Sequence, residues 1–536
     1  MEAQASRHLN AGRHGGPAST PGSLMILAGL VAVAFASRVA LADHSLWFDE
    51  YASVFFASQP LHRLWGPWML RETNPPLYYT ILRGWIEAFG LSRAGVRLPG
   101  IIASVAAIAV LFGVISRLYG RRAGVAAALI LALSSQQLYF SLQVRAYIFL
   151  YLAIAVSFAG VLTLVKATTR RGEVVGWLSY VLGAIAGIYL HTTAIVWPLA
   201  ATAAMVTVYP PLRPRNAAFS TRAWAAIVLA NAAIVLGSAW WLYMTALQVA
   251  NPNGNLNWME GLRFKRDLTV YVSTVLQSRQ LTVAQLPVAI PFGLFFALGT
   301  WRSRREPGTR LALACLVYAS ALFVIISLKQ PVFLPRTILW LSLFPLIIAA
   351  NGIASLEWRG FVIALTAIMV ASIIGLFITT PALVSEEWRG LIRRASADRS
   401  AIVFVDGEAM SVVTRMACRV ELGLPRCPFP VVTIVAPGRT LDTWGNQYAD
   451  TVPRDASGQA LLPDQSHAYL LRRHYHDALA DAYWAGALPR APGATPAMPT
   501  LAGPYDRSLI VGLVKRSVIT NGLLYIRGEN SSRPHE

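Results

Sequence analysis

The sequence predicts a polytopic α-helical membrane protein, with about eleven transmembrane helices and a small C-terminal α/β soluble domain, on three observations. The 536 residues are 55% hydrophobic and only 13% charged, about half the charged share of an average soluble domain. Apolar runs of membrane-spanning length recur between residues 23 and 379. From residue 385 the composition becomes ordinary and polar.

The predicted spans are 23–42, 97–117, 122–140, 146–165, 174–190, 192–208, 223–245, 286–301, 310–328, 333–352 and 360–379. The first follows Arg7 and Arg13 but lacks a small-residue cleavage pattern, so it reads as an uncleaved span. Basic residues gather in four loops: Arg117, Arg121 and Arg122; Lys166, Arg170 and Arg171; Arg213, Arg215 and Arg222; Arg302, Arg304, Arg305 and Arg310. With the N-terminus inside, about eleven spans put all four loops in the cytoplasm and the C-terminal domain outside. The stretch 76–90 is short and carries Arg83 and Glu87. Counting it as a span would invert every later loop, so it reads as a juxtamembrane or re-entrant helix. The expected organisation is a cytoplasmic tail 1–22, a transmembrane domain 23–384 with outer loops about 43–96 and 246–285, and an extracytoplasmic domain 385–536.

The net charge of +20 belongs to the membrane region. Residues 385–536 hold 17 of the 46 basic and 15 of the 26 acidic residues, leaving 29 and 11 before them. The excess is therefore a topology signal and argues against a nucleic-acid partner. Three cysteines are too few for a disulfide framework. Cys315 lies in an apolar run and reads as packing; Cys418 and Cys427 are candidates for one disulfide if their domain is exported. In that domain AIVFV at 401–405, VVTIV at 431–435, SLIVGLV at 508–514 and LLYIR at 523–527 read as strands. EEWRGLIRRASADR and HDALADAYWAG read as helices, and no phosphate loop, zinc spacing or nucleophile elbow is present.

Polar residues mark the outer ends of the odd-numbered spans. The first span ends in DHSLWFDEYAS, with Asp49 and Glu50, and RETNPPLYY follows, with Arg71, Asn74 and Tyr78. The third ends near FSLQVRAY, with Gln143, Arg145 and Tyr147; the fifth in YLHTT, with His191; the ninth in KQPVFLPRT, with Lys329 and Arg336. Ionisable groups at membrane depth are costly and mark a pathway or a site. A cation can hold a lipid phosphate and stabilise its leaving charge, and a carboxylate can take the proton of an attacking hydroxyl.

The run of motifs DE, NPPLYY, RLPG, YGRRAGVAAALILALSS, QVRAY and YLHTT resembles the bacterial branch of the C-type glycosyltransferase superfamily. That group includes the protein O-mannosyltransferases and the lipid A aminoarabinose transferases. The resemblance covers about residues 45–200 and continues weakly through FLPRTILWLSLFPLIIA at 333–349. It implies a multi-pass protein of the bacterial inner membrane, surrounded by membrane lipids, with its C-terminal domain in the periplasm. It also implies a polyprenyl-phosphate-linked sugar donor and a lipid, glycan or protein acceptor. In the superfamily the first outer loop carries an acidic residue essential for transfer, sometimes with a divalent metal ion. Asp49 matches it and would be the metal ligand; Glu50 stands beside it as the second catalytic candidate. Arg145, Arg336, Lys329 and Arg71 are the candidates for the donor phosphate. Asn74, Tyr78, Gln143, Tyr147 and His191 are the candidates for the substrate pocket. Two positions depart from the pattern: the third-span motif often reads Glu-x-Arg where this chain has Gln143, and the position before the double proline is often basic or His where it has Asn74.

Each residue has a plainer reading. Asp49 and Glu50 could be a solvated pair, Arg145 and Arg336 interfacial anchors, His191 a helix-end hydrogen-bond partner, and Asn74 a turn former before two prolines. A transporter or lipid-linked glycan flippase is the rival function. It would favour polar groups at the midplane, on broken helices, with internal repeats; here the polar groups cluster at one face and no internal repeat is seen. A scaffold would not need acids, bases and aromatics drawn from several separate spans.

Overall fold

Each of the eleven apolar stretches falls at least in part on a helix in the computed structural model, which describes residues 21–208, 217–250, 263–278, 286–330, 332–379, 386–434, 467–473, 500–501, 508–511, 514–517 and 522–526. Among the described residues seven helices are long and apolar enough to cross a membrane: Pro21–Ala40, Gly95–Tyr119, Tyr147–Lys166, Arg170–Leu190, Arg222–Ala250, Pro307–Ser327 and Trp358–Leu376. Arg121–Leu133 and Ser135–Ser141 make an eighth if the pair, bent by 58°, is one span. The stretches 192–208 and 333–352 fall on the shorter apolar helices Thr192–Val208 and Leu339–Ala354, and 286–301 falls on the 18-residue helix Leu286–Ser303. The expected juxtamembrane piece is the helix Leu77–Phe89. Its 13 residues rise about 20 Å, short of a hydrocarbon core of about 30 Å. The basic tail residues Arg7 and Arg13, the segment NPNGNLNW and the stretch HDALADAYWAG lie outside the described residues.

The chain divides into two compact units. The first comprises 1–41, 67–78 and 97–379. Without a hydrophobic force between helices in lipid, close backbone approach through small residues takes over. Helices Tyr147–Lys166 and Arg170–Leu190 meet at Gly160, where an added Cβ would lie 2.5 Å from the Gly176 carbonyl oxygen. Leu286–Ser303 and Leu343–Ala354 meet where a Cβ on Gly352 would lie 2.4 Å from the Phe295 oxygen. Ser157 Oγ donates to the Tyr180 carbonyl (2.7 Å) and accepts from Trp197 Nε1 (2.7 Å), tying three helices together. The bend before Ser135 leaves helix-end carbonyls that need donors. The fully buried Arg38 supplies them, donating to the carbonyls of Leu131 (3.3 Å) and Ala132 (3.0 Å) and to Ser141 Oγ (3.1 Å).

The second unit comprises 42–66, 79–96 and 380–536, so two parts of the loop after the first helix, 42–66 and 79–96, share a unit with the C-terminal domain, while 67–78 belongs to the first unit. Its five-stranded sheet has the order β2-β1-β3-β7-β4, with β1 Ala401–Asp406, β2 Val431–Ile434, β3 His467–Arg472, β4 Thr500–Leu501 and β7 Gly522–Ile526. β1 is parallel to β2 and β3, and β7 is antiparallel to β3 and β4. The run 508–514 is two antiparallel strands, β5 Ser508–Val511 and β6 Val514–Ser517. Helices Trp388–Ala397 and Gly407–Leu422 pack on this unit, and Cys418 is bonded to Cys427.

Candidate active site

In the first unit, three segments far apart in sequence carry Arg145 with Tyr147, His191 and Arg336, and the charges of both arginines act on the histidine. The loop bearing Arg145 follows Ser135–Ser141 and leads into Tyr147–Lys166. It is held from below by the RLPG motif. Buried Arg97 donates Nε–H to the Leu142 carbonyl (2.7 Å), and a Cβ on Gly100 would lie 2.7 Å from the Ser141 oxygen, so only glycine admits that strand of backbone. Arg145, 8% exposed, donates Nε–H to the Tyr147 hydroxyl (3.3 Å), and its guanidinium carbon lies 5.7 Å from the Tyr147 ring centre. Tyr147 is buried, with the His191 ring 5.9 Å from its own. Gln143 is also buried, two residues before Arg145.

His191 caps the end of Arg170–Leu190. Burial, and then the charges of Arg145 and Arg336, lower its pKa from 6.5 to about 3. It is therefore neutral at ordinary pH. Its Nδ1 receives the Thr193 backbone N–H (3.3 Å) and lies 2.9 Å from Thr193 Oγ1. A backbone N–H can only donate, so the ring proton belongs on Nε2. Arg336 is half-buried in the turn Val332–Ile338 that precedes Leu339–Ser342.

The NPP loop is tied to the same histidine segment. Thr192 Oγ1 donates to the Thr73 carbonyl (3.2 Å) and accepts from Trp241 Nε1 (3.0 Å). Gln248 Nε2 donates to the carbonyls of Glu72 (2.6 Å) and Met69 (3.2 Å). The Glu72 carboxylate accepts both the Asn74 backbone N–H (3.0 Å) and its side-chain amide. Asn74 therefore shapes the loop, as its turn chemistry suggests. Tyr78 is buried, its ring 5.5 Å from that of Phe149. Lys329 and Arg71 are exposed, after Pro307–Ser327 and at the end of the 3₁₀ turn Pro67–Arg71. Glu72, Arg97 and Thr192 lie within motifs quoted from the sequence but carry no site role there, whereas nothing local marks Gln248.

Asp49 and Glu50 belong to the second unit, in the first turn of Phe48–Ala57. Their surroundings differ. Glu50 is buried and its carboxylate accepts the Trp47 backbone N–H (3.0 Å), half of a capping box. Asp49 is half-buried, and its carbonyl accepts from Ser53 Oγ (3.0 Å). Among the described residues no group of three or more His, Cys, Asp or Glu is arranged to hold a metal ion.

Residues 73–248 match a family model described as dolichyl-phosphate-mannose-protein mannosyltransferase. No curated protein matches the chain by sequence. The fold is similar to ArnT from Cupriavidus metallidurans bound to undecaprenyl phosphate, with a TM-score of 0.60 and 13% identity over 96% of this chain and 100% of that one. The apo state of the same protein gives 0.60 and 14% identity, covering 93% and 97%. An oligosaccharyltransferase from Archaeoglobus fulgidus, in complex with zinc and sulfate, gives 0.50 and 11% identity, covering 77% and 62%. The matched segment contains the NPP loop, Arg145, Tyr147 and His191. The family match thus spans residues 73–248, about a third of the chain, and the likeness to the solved membrane proteins is one of fold.

Proposed function

We propose that the enzyme transfers a sugar from a polyprenyl-phosphate carrier to a hydroxyl acceptor on the extracytoplasmic face of the bacterial inner membrane. The observation that carries this reading is the buried grouping of Arg145, Tyr147 and His191, with Arg336 near enough for its charge to act on the histidine. Two cations beside an Nε2–H donor suit a phosphate, because guanidinium groups recognise its oxygens geometrically and ionically. Arg145 and Arg336 hold the donor phosphate, with Lys329 and Arg71 as exposed contributors on its approach. Gln143, Tyr147, Asn74 and Tyr78 line or shape the pocket. The proposed topology is a cytoplasmic tail 1–22, a membrane domain 23–384 and an extracytoplasmic domain 385–536, supported by the basic loops.

In the proposed step the acceptor oxygen bonds to the anomeric carbon as the bond from that carbon to the phosphate oxygen breaks. Asp49 takes the acceptor proton, and the electron pair leaves with the lipid phosphate, where the arginines meet the added negative charge. Asp49 is preferred to Glu50 as the base because it matches the acidic position of the resemblance and is half-buried, whereas Glu50 is buried with its carboxylate on the Trp47 N–H. The test uses mannosyl undecaprenyl phosphate, labelled in the sugar, with the purified full chain in nanodiscs. Asp49→Asn is expected to lower turnover about 10²–10⁴-fold, the usual share of general-base catalysis. Glu50→Gln keeps an oxygen acceptor for the Trp47 N–H and is expected to be mild. A larger loss at Glu50 would exchange their roles; full turnover in both variants would end the assignment.

A further inference from the structure

We infer that Glu386 and Arg473, in the C-terminal domain, are positioning residues for Asp49, an inference that rests on the proposed role of that carboxylate. The first N–H groups of a helix lack intrahelical partners. At the start of Phe48–Ala57 two carboxylates satisfy them. Glu50 serves Trp47 locally, whereas the Phe48 N–H donates to Glu386 Oε2 (2.8 Å), a residue 338 positions away. The cap of the Asp49 helix is thus supplied by the soluble domain. Glu386 is 2% exposed and is itself fixed: Trp388 Nε1 donates to Oε2 (2.6 Å) and Arg473 Nε to Oε1 (2.9 Å). The Arg473 guanidinium carbon lies 4.3 Å from the centre of the Phe48 ring. Phe48 is therefore gripped at its main chain and at its side chain by one ion pair, and Asp49 is the next residue.

A second grip acts three residues beyond Phe48. Tyr51 donates to Glu421 Oε1 (2.7 Å), and its ring lies 5.5 Å from that of Trp388. Burial and then the Glu421 charge raise the Tyr51 pKa, so it remains a donor. Arg93 bridges Glu421 (2.6 Å) and Asp43 (2.8 Å). The Trp388 N–H donates to Ser45 Oγ (3.0 Å). The helix could be stabilised by its own apolar face alone. Instead, buried carboxylates from Glu386 and Glu421 meet it on both sides of Asp49, which orients the first turn as well as holding it. Misplacement of a reacting group by about 1 Å costs up to about 10²-fold in rate.

The test compares Glu386→Ala, Glu386→Gln and Arg473→Met in the full-length chain in nanodiscs. Arg473 is half-buried, so Arg473→Met keeps the fold if Glu386→Ala does not. Hydrogen exchange of residues 47–56 should quicken in Glu386→Ala and Arg473→Met and recover in Glu386→Gln, whose amide oxygen still accepts the Phe48 N–H. Exchange of β1 should stay unchanged, as should affinity for undecaprenyl phosphate. Turnover of labelled mannosyl undecaprenyl phosphate should fall about 10- to 100-fold in kcat with KM preserved. Adding Glu386→Ala to Asp49→Asn should lower it no further. Unaltered exchange at 47–56, equal loosening of β1, or a fully additive double variant overturns the inference. Full turnover in Asp49→Asn alone instead defeats the base assignment, and the exchange data then judge the clamp by itself.

Discussion

Replacing Arg145 by methionine isolates the phosphate-binding half of the proposal. Methionine keeps an unbranched apolar stem of similar reach but removes the charge, the bond to Tyr147 and the cation above its ring. A hydrogen bond to a charged group contributes about 1.5–3 kcal/mol, so donor affinity should fall about 10- to 150-fold. The loss should appear in the donor KM and in the Kd for undecaprenyl phosphate. The variant also removes one of the two cationic influences on His191. The His191 pKa should rise, yet remain below 6.5, because burial is its leading cause. A histidine with a depressed folded pKa contributes stability in full above its unfolded value, and that stability declines as pH falls from 6.5 toward about 3. Arg145→Met should therefore tolerate acid better than the parent at this site while binding donor worse at neutral pH. Kd measured from pH 5 to 8 in nanodiscs, with unfolding followed in parallel, reads both. An unchanged Kd for undecaprenyl phosphate would remove Arg145 from the donor site.

Gly160→Ala should destabilise the protein by about 1–3 kcal/mol, as overpacking does, because the new Cβ would press on the Gly176 oxygen and the Tyr180 nitrogen. Gly113→Ala, with nothing within 4 Å of its Cβ, should leave the Tm unchanged or higher. Reduction of Cys418–Cys427, which closes a loop of sequence separation 9, should cost the soluble domain about 2–3 kcal/mol. Two free thiols in non-reduced mass spectra would refute the bond. A phosphatase fused after residue 536 should be active, and an inactive fusion would place the C-terminus inside.

The membrane helices were legible because length and apolarity are local properties: each predicted stretch between 23 and 379 falls on a helix. The motifs were legible as marks, but not as contacts. RLPG stood out in the sequence, yet its work depends on Leu142 and Ser141, more than forty residues on. Asp49 and Glu50 were equivalent as letters, and only the helix turn distinguishes the capping carboxylate from its neighbour. In the sequence Glu386 is one of two acids opening the predicted helix EEWRGLIRRASADR, which in the structure begins only at Trp388. Its partner Phe48 is too remote for any periodicity to join them. The strand HAYLLR at 467–472 went unread because its polar ends hide a short apolar centre that the parallel neighbour β1 covers.

The neutrality of His191 fits the energetics of the proposed step. A sugar phosphodiester presents one negative charge, and the lipid phosphate that leaves presents nearly two. Fixed cations bind the departing group more tightly than the donor, which is where transition-state stabilisation arises. The same preference retards release of the product. A third cation would deepen that trap, whereas a neutral Nε2–H still directs a phosphate oxygen without adding charge. Burial and the two arginines together keep His191 in that state. The arginines therefore act twice in the proposed site, on the leaving phosphate and on the protonation of the donor beside it.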